Sequence, residues 1–218
     1  MKEVGNSTKR IDAHAKVSGK AKYPGDFEYP NQLIMKVLFS RRVHARILSI
    51  DTSEAEALEG VVMVLTAKDV PVNEFGLSVY DHPVLSGPGS EKEGAEIVRF
   101  EGDQVALVIA ETEEIAERAK NLIKVEYEDL PIVRTLAEAL APDAPILHPN
   151  QESNIFYHNR VRLGDVDEAF KNCDVIVEGE YQTPVQEHAY LQPEAGVAYY
   201  DEEERITIVT AGQWTHKD

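Results

Sequence analysis

Residue types that could do chemistry gather in the last third of the chain. Thr210–His216 (TAGQWTH) follows an apolar run, and within it Gly212 has no Cβ to keep a ligand from the backbone. The Gln213 side-chain amide beside it can donate to an oxo or carbonyl oxygen. The ordinary reading of the same residues is a strand-to-helix turn. Gln186-Glu187-His188 follows Pro184 between two apolar stretches, and polar residues clustered where strands turn often line a cleft. The ordinary alternative is a turn whose side chains satisfy loop backbone. Glu194 carries the same ambiguity. Asp81-His82 offers an acid–base pair, but Pro83 behind it signals a turn first. Cys173 precedes Asp174 at a helix-to-strand junction and is expected to be a buried structural thiol. Lys36 follows Met35 as an acylated carrier lysine would. It lies inside LIMKVLF, a strand interior, so the carrier reading is rejected.

Motifs with sharper chemistry are missing. The chain has no phosphate loop, GxGxxG, GxSxG, HExxH or CxxC. Its histidines (His14, His44, His82, His148, His158, His188 and His216) include no pair at the i, i+3 or i+4 spacing of a helical metal site. No protein-ligated metal site is expected. One cysteine permits no internal disulfide, and an iron–sulfur cluster needs about four.

Composition narrows the partners. The 218 residues carry a formal charge of −17, which repels phosphate backbones and anionic membrane surfaces. Nucleic-acid and membrane partners are therefore not expected. No apolar run approaches the ~20 residues that cross a bilayer, and the N-terminus lacks a signal peptide's apolar core. Cytoplasmic residence is the default expectation.

The elements that must position these residues read as α+β. Residues 1–22 are polar and basic, an extended arm. Leu33–Phe39 and His44–Ile50 are strands, Asp51-Thr52-Ser53 caps a short helix at Glu54–Leu58, and Val61–Leu65 is a buried strand. Thr66 caps a single turn at Ala67–Val70. Residues 71–96 hold three prolines and four glycines, a loop long enough to be functional or disordered. After Ile97–Phe100, Glu101-Gly102-Asp103 reads as a hairpin turn into Gln104–Ala110. Thr112 then caps an amphipathic helix at Glu113–Leu122, followed by a strand at Lys124–Glu128. Residues 131–160 are proline-rich and read as a linker around a short helix, Leu136–Leu140. Asp165 caps a helix at Val166–Phe170. Three long strands are expected after it, Asp174–Thr183, Ala195–Tyr200 and Arg205–Thr210. With almost no helix to cover them, they would expose an apolar face or an unpaired edge.

Taken in order, these segments resemble the N-terminal part of the molybdenum-binding large subunit of the xanthine dehydrogenase and aldehyde oxidase family. The resemblance rests on Arg10-Ile11-Asp12 with Lys16–Tyr23 (KVSGKAKY), His44-Ala45-Arg46-Ile47, Gly60–Pro71 (GVVMVLTAKDVP) and Asp81–Leu85 (DHPVL). It continues through Val105–Thr112 (VALVIAET), Val125–Leu130 (VEYEDL), Gly164-Asp165-Val166, Gln186–Tyr190 (QEHAY) and Gly212-Gln213. The chain departs from the family's habit at Arg41 and Gln104, where proline is frequent, and at Gln192, where glutamate is usual.

The resemblance implies an extended arm at 1–22, an α/β-hammerhead domain over 23–130, a linker at 131–160 and the start of a molybdopterin-binding domain at 161–218. It implies water-dependent hydroxylation of a heterocycle or aldehyde by a molybdopterin cofactor in a larger enzyme. Partners would be the remainder of the subunit and iron–sulfur and FAD subunits or domains. Gln213 would lie near molybdenum, with Gly212 beside it, and the glutamate general base would lie farther along. By this reading the chain ends before its catalytic machinery is complete. It would be inactive, and would hold no cofactor, by itself. The alternative is a non-catalytic assembly module that docks separate catalytic and iron–sulfur subunits. Substrate, electron acceptor and oligomeric state stay open.

Overall fold

A computed structural model describes residues 4–76, 79–190, 194–212 and 214. Packing divides the chain into two units: Asn31–Gly164, and Met1–Pro30 together with Asp165–Asp218.

The Asn31–Gly164 unit is built on two antiparallel sheets. The first holds β1 (Ile34–Phe39), β5 (Gln104–Ala110) and β3 (Val61–Thr66), with β5 in the centre. Strand residues alternate between faces. The face carrying Val64, Ala106, Val108 and Ala110 is closed by α2 (Ser53–Glu56) and α3 (Glu113–Leu122), through Ala55, Ala116 and Ala119. These alanines are fully buried, and their small side chains let helix and sheet backbones approach closely. Across the other face runs a row of Met35, Ile109 and Met63, and both methionines are about half exposed. Lys36 points from β1 toward α3, where its Nζ lies 2.6 Å from Glu113 Oε1, so a strand interior does hold it.

Helix α3 begins where its sequence says it must. The Thr112 hydroxyl accepts from the Ile115 N–H at 3.2 Å, and Glu113 and Glu114 complement the positive end of the dipole. Thr112→Ala is expected to cost about 1 kcal/mol. It should read as a lower urea midpoint with an unchanged slope, since the same surface is exposed on unfolding.

The second sheet holds β4 (Ile97–Val98), β2 (Ala45–Asp51) and β6 (Lys124–Asp129), with β2 in the centre. Its core is Ala45, Ile47, Val98 and Val105. Here the hairpin expected at Glu101-Gly102-Asp103 is corrected. The turn exists, with the Asp103 carboxylate accepting from the Arg99 and Phe100 N–H groups at 2.7 and 3.2 Å. Yet β4 pairs with β2 and β5 with β1 and β3, so the turn carries the chain from one sheet to the other. Arg46 helps hold β4's approach, its Nη1 2.7 Å from Glu96 Oε1.

The long 71–96 loop is organised from inside. Asn73, 5 % exposed, donates from Nδ2 to the Leu85 carbonyl (2.8 Å) and to Ser90 Oγ (3.0 Å), and its Oδ1 accepts from the Leu85 N–H (2.9 Å). Phe75 and His82 exchange backbone hydrogen bonds at 2.8 and 3.2 Å. The proline-rich 131–160 stretch is tied down in a similar way. Asn154 Oδ1 accepts from the Leu147 N–H, and its Nδ2 donates to the Ala139 and Pro145 carbonyls. Its helix α4 (Leu136–Ala139) is capped by Thr135.

The other unit joins the two ends of the described chain. Its first residues are not a plain extended arm, because Ala13–Val17 forms α1. Asp12, at the head of α1, meets Lys16 and Arg10 at 2.9 and 2.8 Å, and the two cations hold its carboxyl down at about 2. Helix α5 (Val166–Lys171) is capped as expected by Asp165, whose carboxylate accepts from the Glu168 N–H. Of three expected strands, two form: β7 (Gly196–Tyr200) and β8 (Ile206–Thr210), an antiparallel pair. Residues 174–183 adopt no regular structure. Cys173 is exposed rather than buried, its thiol donating to the Ala169 carbonyl at 3.3 Å. Among the described residues no helix is long and apolar enough to cross a membrane.

Candidate functional site at the end of strand β8

Of the candidate residues, Gly212 follows directly on the β7–β8 hairpin. Its turn is held by Asp201, whose carboxylate accepts from the Glu203 and Arg205 N–H groups and from Arg205 Nε at 2.9–3.0 Å. These donors, the Arg205 N–H first, push the Asp201 carboxyl below its ordinary value. One face of the hairpin presents Val197, Tyr199, Thr207 and Val209, each partly buried. The 3-10 turn Pro24–Asp26 lies against β7, and Tyr29 stacks on Tyr199 with ring centroids 4.7 Å apart. The opposite face leaves Tyr200, Ile206 and Ile208 about 70 % exposed, the bare apolar face expected of this unit.

At the far end, Gly196 pairs with Thr210, and the Ala211 N–H donates to the Ala195 carbonyl at 3.3 Å. Gly212 follows, exposed, just past the last rung of the ladder. Gln213 lies outside the described residues.

Gln186, Glu187 and His188 sit in irregular backbone and are exposed. Glu187 Oε1 accepts from the His188 N–H at 3.0 Å and lies 3.8 Å from His188 Nδ1. A partner that sequence reasoning missed is nearby: the Tyr190 hydroxyl donates to Glu194 Oε1 at 2.6 Å. That carboxylate raises the phenol's pKa. Spacing by four residues signals contact on a helix, but this backbone is irregular, so no periodic pattern marks the pair. Leu191, Gln192 and Pro193 fall outside the described residues.

No group of three or more His, Cys, Asp or Glu side chains among the described residues is arranged to hold a metal ion.

Residues 18–131, more than half the chain, match the hammerhead domain of aldehyde oxidase and xanthine dehydrogenase, and residues 147–218 match a molybdopterin cofactor-binding domain. The chain is 38 % identical over 216 residues to the nicotinate dehydrogenase large molybdopterin subunit of Eubacterium barkeri, covering 99 % of this chain and 48 % of that one. It is 41 % identical over 210 residues to a probable xanthine dehydrogenase subunit of Bacillus subtilis, covering 96 % of this chain and 27 % of that one. The chain thus spans about half or less of the curated relatives it matches. Among solved structures, aldehyde oxidoreductase from Desulfovibrio gigas superposes with a TM-score of 0.79 at 31 % identity, over 91 % of this chain and 22 % of that one. Quinoline 2-oxidoreductase from Pseudomonas putida gives 0.79 at 28 % identity, over 96 % of this chain and 27 % of that one. With a hammerhead match, a cofactor-domain match and relatives of one kind along nearly its whole length, the chain belongs to the aldehyde oxidase and xanthine dehydrogenase family.

Proposed function

We propose that this chain serves as part of the molybdenum-binding subunit of a molybdopterin-dependent hydroxylase acting on a heterocycle or an aldehyde. The observation that carries the reading is the ordered pair of family matches, 18–131 and 147–218, on one continuous chain. Relatives named for nicotinate, xanthine and quinoline support a heterocyclic substrate. When bound, the cofactor supplies the redox chemistry. This chain's residues supply a wall: Gly212 opens the backbone to the cofactor, and Gln213 donates its amide hydrogen bond there. Gln186, Glu187 and His188 line the neighbouring cleft. Iron–sulfur and FAD partners carry the electrons away. The sequence-level division into an arm at 1–22, a hammerhead domain at 23–130, a linker at 131–160 and a cofactor-domain start at 161–218 belongs to the same proposal.

The reading predicts that the 218-residue chain, purified by itself, holds no stoichiometric molybdenum and does not hydroxylate nicotinate, xanthine or an aldehyde. Metal analysis by mass spectrometry and a dye-linked oxidation assay check this. Stoichiometric metal with turnover would overturn the view that the wall is incomplete without further chain.

A further inference from the structure

Within the Asn31–Gly164 unit, the 71–96 loop folds back on the turn Ala67–Asp69 that follows β3, and a cavity of about 200 Å³ lies between them. Lys68, Asn73, Gly89, Ser90, Glu91 and Lys92 supply its polar lining. Gly89 permits the close approach. Its φ is +88, and a Cβ built there would stand 3.0 Å from Lys68 Cβ.

Hydrogen-bond donors around this cavity outnumber their acceptors. Ser90 Oγ accepts from Asn73 Nδ2 at 3.0 Å and from the Lys92 N–H at 3.2 Å, which occupies both of its lone pairs. The hydroxyl's own hydrogen has no acceptor among the described residues. The Lys92 side chain is only 16 % exposed. Its ammonium carries three hydrogens, and two are taken, by the Tyr80 carbonyl at 3.2 Å and by Glu74 Oε2 at 3.4 Å. The Lys68 ammonium has no partner among the described residues. Two carboxylates stand near, and neither reaches the remaining donors. Glu91 is exposed, and Glu74, about half exposed, meets Lys92 at the long end of the hydrogen-bond range.

A partly desolvated ammonium and a hydroxyl with unmet hydrogens both gain from an anion rich in oxygen. A phosphate group brings more oxygens and more charge than a carboxylate, and so matches three donors from three directions. We propose that this cavity binds a phosphate group, held by Lys68, Lys92 and the Ser90 hydroxyl, and that the bound group bridges the 71–96 loop to the turn after β3. Against a chain charge of −17, capture rests on contacts inside the cavity, not on the long-range field.

The test is nuclear magnetic resonance of the ¹⁵N-labelled 218-residue chain, titrated with inorganic phosphate and, separately, glycerol 3-phosphate at pH 7.5 and constant ionic strength. The Gly89, Ser90 and Lys92 amides are expected to shift in a saturable way, while the Val108 and Ile115 amides stay in place. Tighter binding of inorganic phosphate assigns the site to the free ion, and tighter binding of glycerol 3-phosphate assigns it to a phosphate ester; either supports the site. Lys68→Gln removes no hydrogen bond or ion pair among the described residues, so it leaves the fold intact, and it is expected to weaken binding by about tenfold or more, as is Lys92→Gln. Lys20→Gln, the same change of charge in the other unit, should leave the affinity as it was. Absence of saturable shifts into the tens of millimolar would overturn the proposal. So would binding that Lys68→Gln and Lys92→Gln leave intact, an equal loss in Lys20→Gln, or acetate binding as tightly as phosphate.

Discussion

Asn73→Ala is expected to lower the stability of the Asn31–Gly164 unit by about 2–4 kcal/mol, an unusually large effect for a loop residue. The reason lies in what the side chain serves. Leu85 is fully buried, and Asn73 is the hydrogen-bond partner of both its N–H and its carbonyl. Alanine leaves two buried backbone groups without a partner, and each such group costs about 1–3 kcal/mol. Water entering the vacated space offsets part of that. Asn73→Asp keeps the acceptor for the Leu85 N–H but sets a carboxylate oxygen against the Leu85 carbonyl, so it should rescue little. Urea unfolding measures the loss, and limited proteolysis should show cleavage inside 71–96 before any global transition. A midpoint shift worth less than about 0.5 kcal/mol would show that the loop is held by something other than Asn73.

The second large effect concerns turnover. On the proposed role of Gln213 as a donor to the cofactor, Gln213→Ala in the larger enzyme is expected to lower kcat by about a hundredfold or more, with cofactor content nearly unchanged. A preorganised amide donor aimed at developing charge in a water-poor site has that scale of effect, and its loss acts on the transition state more than on cofactor retention. Gln213→Glu tests the hydrogen bond itself, since the carboxylate keeps the shape but cannot donate when ionised. Its kcat should fall at least as far as the alanine variant's. Wild-type kcat in Gln213→Ala, at full molybdenum content, would remove Gln213 from the site.

Much of the fold was legible where a strong period and a cap coincide. QVALVIA followed by Thr112 and EEIAERAKNL yields β5 and α3 at the residues the pattern indicates, because burial and capping point to the same boundaries. Reading fails where the partner of an element matters more than its own pattern. DVIVEGEYQT alternates well over residues 174–183, yet a strand forms only against a neighbour. The Glu101–Asp103 turn was visible, but its destination was not, because turn chemistry is local and sheet membership is not. Helix α1 was missed because no apolar stripe defines it: ion pairs from Asp12 to Arg10 and Lys16 mark its start. Its stop did carry a signal, Gly19 at φ +70. At the candidate site, the glycine after β8 was readable as an open strand end. The Tyr190–Glu194 and Tyr29–Tyr199 contacts were not, since they join residues in irregular backbone or far apart in sequence.

The joining of Met1–Pro30 to Asp165–Asp218 in one unit sets an order of events during synthesis. Tyr29 leaves the ribosome with no Tyr199 to stack on until some 170 residues later. At about 5–20 residues per second, that is a wait of roughly ten to thirty seconds. The Asn31–Gly164 unit, whose strands all pair within it, can form during that interval. Residues 4–30 are then made well before they find their place, and a chaperone that holds an emerging segment would meet them in that window.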